Sequence, residues 1–116
     1  MKRVRIYDGD DGQSHVETLS FDFTEREGTR TVSQAAESLA FYRRDEGSFT
    51  DFHRPPRRQY MFYLTARVEL GLGDGSSVVM EPGDVLLAED TTGQGHSSRV
   101  LSPGMCVVVP LAREDG

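Results

Sequence analysis

The sequence predicts an all-β fold of two packed antiparallel sheets, a β-sandwich or a jelly-roll barrel. Eight or more short segments rich in strand formers follow one another with a turn signal every several residues. Glycine-bearing turns punctuate them at Asp8–Gly12, Gly73-Asp74-Gly75, Glu81-Pro82-Gly83-Asp84 and Pro103-Gly104. Only Val32–Ser38 reads as a helical turn, and it is too short to hold a helix alone.

Taken in order, Val4–Tyr7 alternates apolar and polar residues and opens the first strand. Ser14–Phe23 alternates over a longer span and predicts a half-buried strand with Leu19, Phe21 and Phe23 inward. Thr24–Thr31 is polar and reads as a loop. Ser38–Arg44 is a strand, and Asp45–Ser48 a turn. From Gln59 to Leu70 runs a segment long enough for two strands with a break near Ala66. Ser77–Met80, Val85–Glu89, Ser97–Leu101 and Met105–Leu111 follow as strands. Ala112–Gly116 reads as a frayed tail.

The 116 residues fit one domain, 1–116. Hydrophobic content of 36% against 28% charged fits a globular chain with a modest core rather than a disordered one. No apolar run approaches the roughly 20 residues of a membrane helix. The basic start Met1–Ile6 has no apolar stretch behind it, so neither a signal peptide nor membrane partnership is expected. A formal net charge of −6 argues against nucleic-acid binding through a broad basic surface. The one basic cluster, Arg54, Arg57 and Arg58, demands a local reason. Cys106 is the only cysteine, which excludes an internal disulfide and suits a reducing cytoplasm. Its setting in Met105–Val109 reads as a buried strand and an inert thiol.

Chemistry concentrates between Gly47 and His96. Gly47 is followed by five residues and His53, then Pro55, Gln59 and Ala66. Further on come Gly75, Pro82-Gly83-Asp84 and His96. These spacings resemble the two motifs of the cupin superfamily, which are a glycine, a His-x-His, a Glu and a glycine, then a glycine, Pro-x-Gly or a near variant followed by Asp, and a histidine. Pro55 stands in place of the second histidine, Gln59 in place of the glutamate and Ala66 in place of the glycine. Three further stretches are similar to a subgroup of small bacterial single-domain cupins with no settled activity: Asp11–His15, His53–Gln59 and Glu89–His96. The resemblance covers roughly residues 38 to 111, with 1–37 supplying N-terminal strands and a loop. It implies a jelly-roll barrel with its site inside.

In an unbroken strand His53, Pro55, Arg57, Gln59, Met61 and Tyr63 share one face. The resemblance places that face inside the barrel, and His96 reaches it from a neighbouring strand. His53, Gln59 and His96 then become candidate ligands of a divalent transition metal, Zn, Fe, Mn or Ni, or else polar groups of a metal-free pocket. Such a neutral set leaves a metal its full charge, which strengthens it as a Lewis acid and weakens its binding. Water, Glu89 or His15 could supply a fourth ligand. Arg57 is a candidate anchor for a substrate carboxylate, unless a bulge at Pro55-Pro56 turns it outward. Met61 and Tyr63 are candidate pocket walls. Glu89, with Asp90 beside it, and Tyr63 are candidates for moving a proton. Asp90–Gly95 lacks the lysine of a phosphate loop and precedes a strand, so it reads as a pocket rim that positions His96.

Two functional classes follow. The first is a metal-dependent enzyme on a small oxygenated molecule, by isomerase, cyclase, lyase or dioxygenase chemistry. The second is a metal-free protein that binds a small acidic or sugar-like ligand. A homodimer is expected in either case, with the strand that begins at Val4 as the edge a second copy would join.

Overall fold

The computed structural model describes residues 1–113; the last three positions of the expected tail lie outside the described residues. Ten strands form two sheets: β1 (Arg3–Asp8), β2 (Ser14–Leu19), β3 (Ala40–Arg44), β4 (Phe49–His53), β5 (Gln59–Tyr63), β6 (Arg67–Gly71), β7 (Ser77–Met80), β8 (Val85–Glu89), β9 (His96–Ser102) and β10 (Gly104–Pro110). One sheet runs β2-β1-β8-β5-β10-β3 and the other β4-β9-β6-β7. All pairings are antiparallel except β1 with β8. No helix occurs among the described residues, so none is long and apolar enough to cross a membrane. Val32–Ser38 is irregular rather than a helical turn.

The core lies between the sheets. Val4 and Ile6 meet Val68, Leu70, Met80, Leu86, Ala88 and Val100 there, with Tyr63, Ala66 and Cys106 at one end. β1, β6 and β9 contribute residues of one parity to it, which accounts for their period-two burial patterns.

The predicted break near Ala66 is real. β5 stops at Tyr63 and β6 starts at Arg67, with Ala66 wholly buried between them. Gly104 packs so tightly on this corner that a Cβ would lie 2.5 Å from the Ala66 nitrogen. The Glu81–Asp84 turn also forms, closed by Asp84 N–H donating to the Glu81 carbonyl at 2.9 Å. The Asp84 carboxylate accepts from the backbone N–H of Glu81 and of Lys2 and from Lys2 Nζ, tying this turn to the chain start.

Three expectations need correction. β2 buries the opposite parity from the one predicted: Ser14 is buried and Val16 packs on the core, whereas Phe23 is exposed and beyond the strand. The cause is register, since Ile6 and Val4 face inward on β1 and pair with Val16 and Thr18. β1 is not an edge, because β2 and β8 flank it. Finally, His53 to Tyr63 is not one strand. β4 ends at His53, residues 54–58 cross from one sheet to the other, and β5 begins at Gln59.

Candidate functional site

His53 and His96 are direct cross-strand partners on β4 and β9. Their ring centroids lie 5.2 Å apart. Two local features bring them together. The β4 register shifts between Thr50 and His53, a bulge that re-aims the strand so that both residues line one cavity. Gly95 then lets the backbones close up. It has φ +79°, and a Cβ there would lie 1.9 Å from the His53 carbonyl oxygen.

The loop from Asp90 to Gly95 is held from behind. Asp8 accepts hydrogen bonds from Thr92 N–H, Thr92 Oγ1 and Gly93 N–H. Burial pushes the Asp8 carboxyl up, but these bonds outweigh it and hold it below the usual carboxylate range. The loop leads directly into His96 and contacts its ring through Asp90, while none of residues 90–95 lines the cavity itself.

Asp90 is wholly buried. Its Oδ2 lies 2.6 Å from His96 Nδ1 and 2.8 Å from the Ser14 hydroxyl, which is also 3.0 Å from the Gly95 carbonyl. Its Oδ1 has no partner. His53 Nδ1 lies 3.0 Å from the Asp51 carbonyl. Both imidazoles therefore spend Nδ1 on the protein and keep Nε2 in reserve.

Across the sandwich, β5 turns Gln59, Met61 and Tyr63 into the same cavity of about 380 Å³. Leu70, Leu86 and Ala88 form its apolar wall, and Pro55 and Pro56 form part of its rim. Tyr63 is 2% exposed. Burial pushes its phenol far above the ordinary value near 10, with the nearby Cys106 adding to the rise and Arg44 opposing it. Tyr63 therefore stays protonated at neutral pH.

His53, Gln59, Met61, Tyr63 and His96 thus share one cavity, as expected. Glu89 and Arg57 do not. Ala88 faces the cavity, so strand alternation puts Glu89 on the opposite face. There Arg5 Nε and Arg58 Nε each approach its carboxylate at 2.5 Å. Burial pushes the Glu89 carboxyl up, but the two guanidiniums hold it below its usual range. Arg57 sits on the crossing segment and contacts Glu37. His15 is also outside, paired with Asp11 at 3.1 Å. The basic cluster dissolves into separate pairings, with Arg54 donating to the Thr92 carbonyl.

Two residues take places that the sequence does not assign: Asp90, expected only beside Glu89 as a proton acceptor, and Arg44. Asp90 stands six residues before His96, and only its burial against that ring distinguishes it from Glu89. Arg44 lines the cavity from β3 and donates to Ser98 Oγ at 2.9 Å. Parity does not single it out, because the consecutive residues Tyr42, Arg43 and Arg44 all line the cavity at this strand end.

No family model and no curated protein matches the chain. Among solved structures it is similar to an RmlC-like cupin from Shewanella frigidimarina NCIMB 400, at 16% identity and a TM-score of 0.52. The match covers 95% of this chain and 86% of that one. The chain therefore has the cupin fold, in which two sheets, antiparallel except at the β1–β8 pair, enclose the cavity just described.

Proposed function

We propose that this cupin-fold chain is a metal-dependent enzyme acting on a small carbonyl or carboxylate compound inside the barrel. The buried Asp90–His96 pair carries the reading. A carboxylate with no exposure and one unpartnered oxygen is costly unless positive charge stands close by. A cation held on His96 Nε2 would supply that charge. The contact at Nδ1 also turns Nε2 toward the cavity, as carboxylates do behind metal-bound histidines.

His53 and Gln59 suit the same cation. His53 Nε2 is left unspent, and Gln59 offers an amide oxygen from the facing sheet. Among the described residues no three His, Cys, Asp or Glu side chains gather in a ligating group. The set would thus be two imidazoles and an amide, with water completing it; Zn, Fe, Mn or Ni accept such donors. When bound, the metal supplies Lewis acidity toward a carbonyl or enolate oxygen. Tyr63, kept protonated, donates a hydrogen bond to a developing oxyanion rather than removing a proton. Met61, Leu70 and Leu86 keep water from one side of the reacting centre. Isomerase, cyclase, lyase or dioxygenase chemistry is compatible with such a site.

A second reading has its own observation. The cavity lining includes no carboxylate side chain, which favours a metal-free cupin holding a small acidic or sugar-like ligand. Metal analysis of untagged protein separates the two. The enzyme reading expects a transition metal near one equivalent that is lost in a His53→Ala, His96→Ala double variant. Protein that stays metal-free after growth with each of the four metals would leave only the binding reading.

The homodimer also takes a new form. We propose that copies pair through β3, an edge strand whose Phe41 is 65% exposed, with Leu39 beside it at 59%. An open, apolar edge of this kind invites antiparallel pairing across a two-fold axis. Light scattering should give a dimer mass for the parent and a monomer mass for Phe41→Glu. A monomeric parent at high concentration would end the idea.

A further inference from the structure

We infer that Arg44 anchors the carboxylate of a small oxo- or hydroxy-acid, whose second oxygen reaches toward His53 and His96. The inference deepens the reading above and rests on the cavity being a ligand site. Arg44 closes β3 and lines the cavity together with Tyr42 and Arg43. Its neighbour Arg43 is matched by Asp45 at 3.1 Å, largely in solvent. Arg44 has no such match among the described residues, where its hydrogen-bond partner is the neutral Ser98 hydroxyl.

The setting makes this cation unusual. The chain carries a net charge of −6, yet neither Asp nor Glu lines the cavity. A guanidinium has five N–H donors in a planar fork, and Ser98 takes one of them. The remaining edge offers the two parallel bonds that a carboxylate accepts. Arg44 is also partly withdrawn from water, so an anion gains more there than at an exposed arginine.

The distance along β9 sets the ligand's length. His96 and Ser98 are successive inward residues, about 7 Å apart at the usual strand rise. A carboxylate beside Ser98 and an oxygen near the histidines are therefore joined by a short carbon chain. The cavity volume, about 380 Å³, falls at the small end of the roughly 300–1,000 Å³ usual for ligand sites.

Titration calorimetry with pyruvate, acetoacetate and 4-oxopentanoate tests this, each acid paired with its neutral amide. At least one acid should bind the parent about tenfold or more tightly than its amide. Arg44→Met should erase that preference, and Arg44→Lys should keep part of it, since it retains the charge without the fork. Inorganic phosphate should bind more weakly than the best acid. Equal binding of acid and amide, no acid binding, or phosphate binding more tightly than every acid would each overturn the assignment. The amide comparison needs no variant, so poor folding of an Arg44 variant leaves the test intact. Titrations before and after chelator treatment separate this idea from the metal reading. Arg44-dependent acid binding to protein that never holds metal would sink the metal alone, whereas metal with no acid preference would sink the anchor alone.

Discussion

Gly95→Ala should cost far more than Gly12→Ala, although the two glycines have nearly the same φ, +79° and +78°. Gly12 has nothing within 4 Å of where a Cβ would go. Its replacement therefore reports the price of a left-handed backbone alone, about 1–2 kcal/mol. At Gly95 the same Cβ would meet the His53 carbonyl oxygen at 1.9 Å and its carbon at 2.2 Å. Those are backbone atoms of the paired strand, so β4 and β9 would have to part. The extra cost should be about 3 kcal/mol or more, at the upper end of core overpacking. For a chain of this size that is a fall in melting temperature of roughly 10 °C or more beyond the Gly12 variant. Whatever folds should also lose the site, because the strands that part are those carrying His53 and His96. Equal melting temperatures for the two variants, with ligand or metal binding kept at Gly95→Ala, would show that the histidine pair does not depend on this approach.

Gly95 also shows how much of the site was legible. His53, Gln59 and His96 could be picked out by spacing, and Met61 and Tyr63 by alternation with Gln59 along one strand. His53 and Gln59 do not share one strand face, although both line the cavity. They lie on different sheets, and a bulge in β4 and a crossing at 54–58 deliver both to one cavity. Strand parity cannot pass through such breaks, which is why the sequence leaves Arg57 open between an inward anchor and an outward turn at Pro55-Pro56; it lies outside, against Glu37. Glu89 failed differently. Its strand was read correctly, but nothing in Val85–Glu89, apolar until its last residue, says which parity faces the cavity. The two-sheet fold was more legible, since it needs only the number of strands and their turns. The inward face of β2 was not, because the register with β1 decides it.

Asp90→Asn should weaken metal binding about 10- to 100-fold while leaving the fold largely in place. The substitution keeps the shape of the side chain, and its amide oxygen can still accept a bond from His96 Nδ1 or Ser14. What it removes is the negative charge 2.6 Å behind the imidazole, which makes His96 a better donor toward a cation on Nε2. Asp90→Ala removes the acceptor as well. It leaves the buried His96 Nδ1 without its partner, at about 1–3 kcal/mol, whereas the Ser14 hydroxyl still has the Gly95 carbonyl 3.0 Å away to donate to. The Ala variant should therefore lose both stability and metal, and the Asn variant chiefly metal. Ser14→Ala supplies the reference, since it takes away one hydrogen bond from a neutral donor to Asp90 and leaves the carboxylate on His96. A purely structural Asp90 makes a different pattern: melting temperatures would fall in all three variants while metal affinity, measured by competition with a chelator, stayed at the parent value in Asp90→Asn. That pattern would remove the charge behind His96 from the argument, and with it the main support for a cation in this cavity.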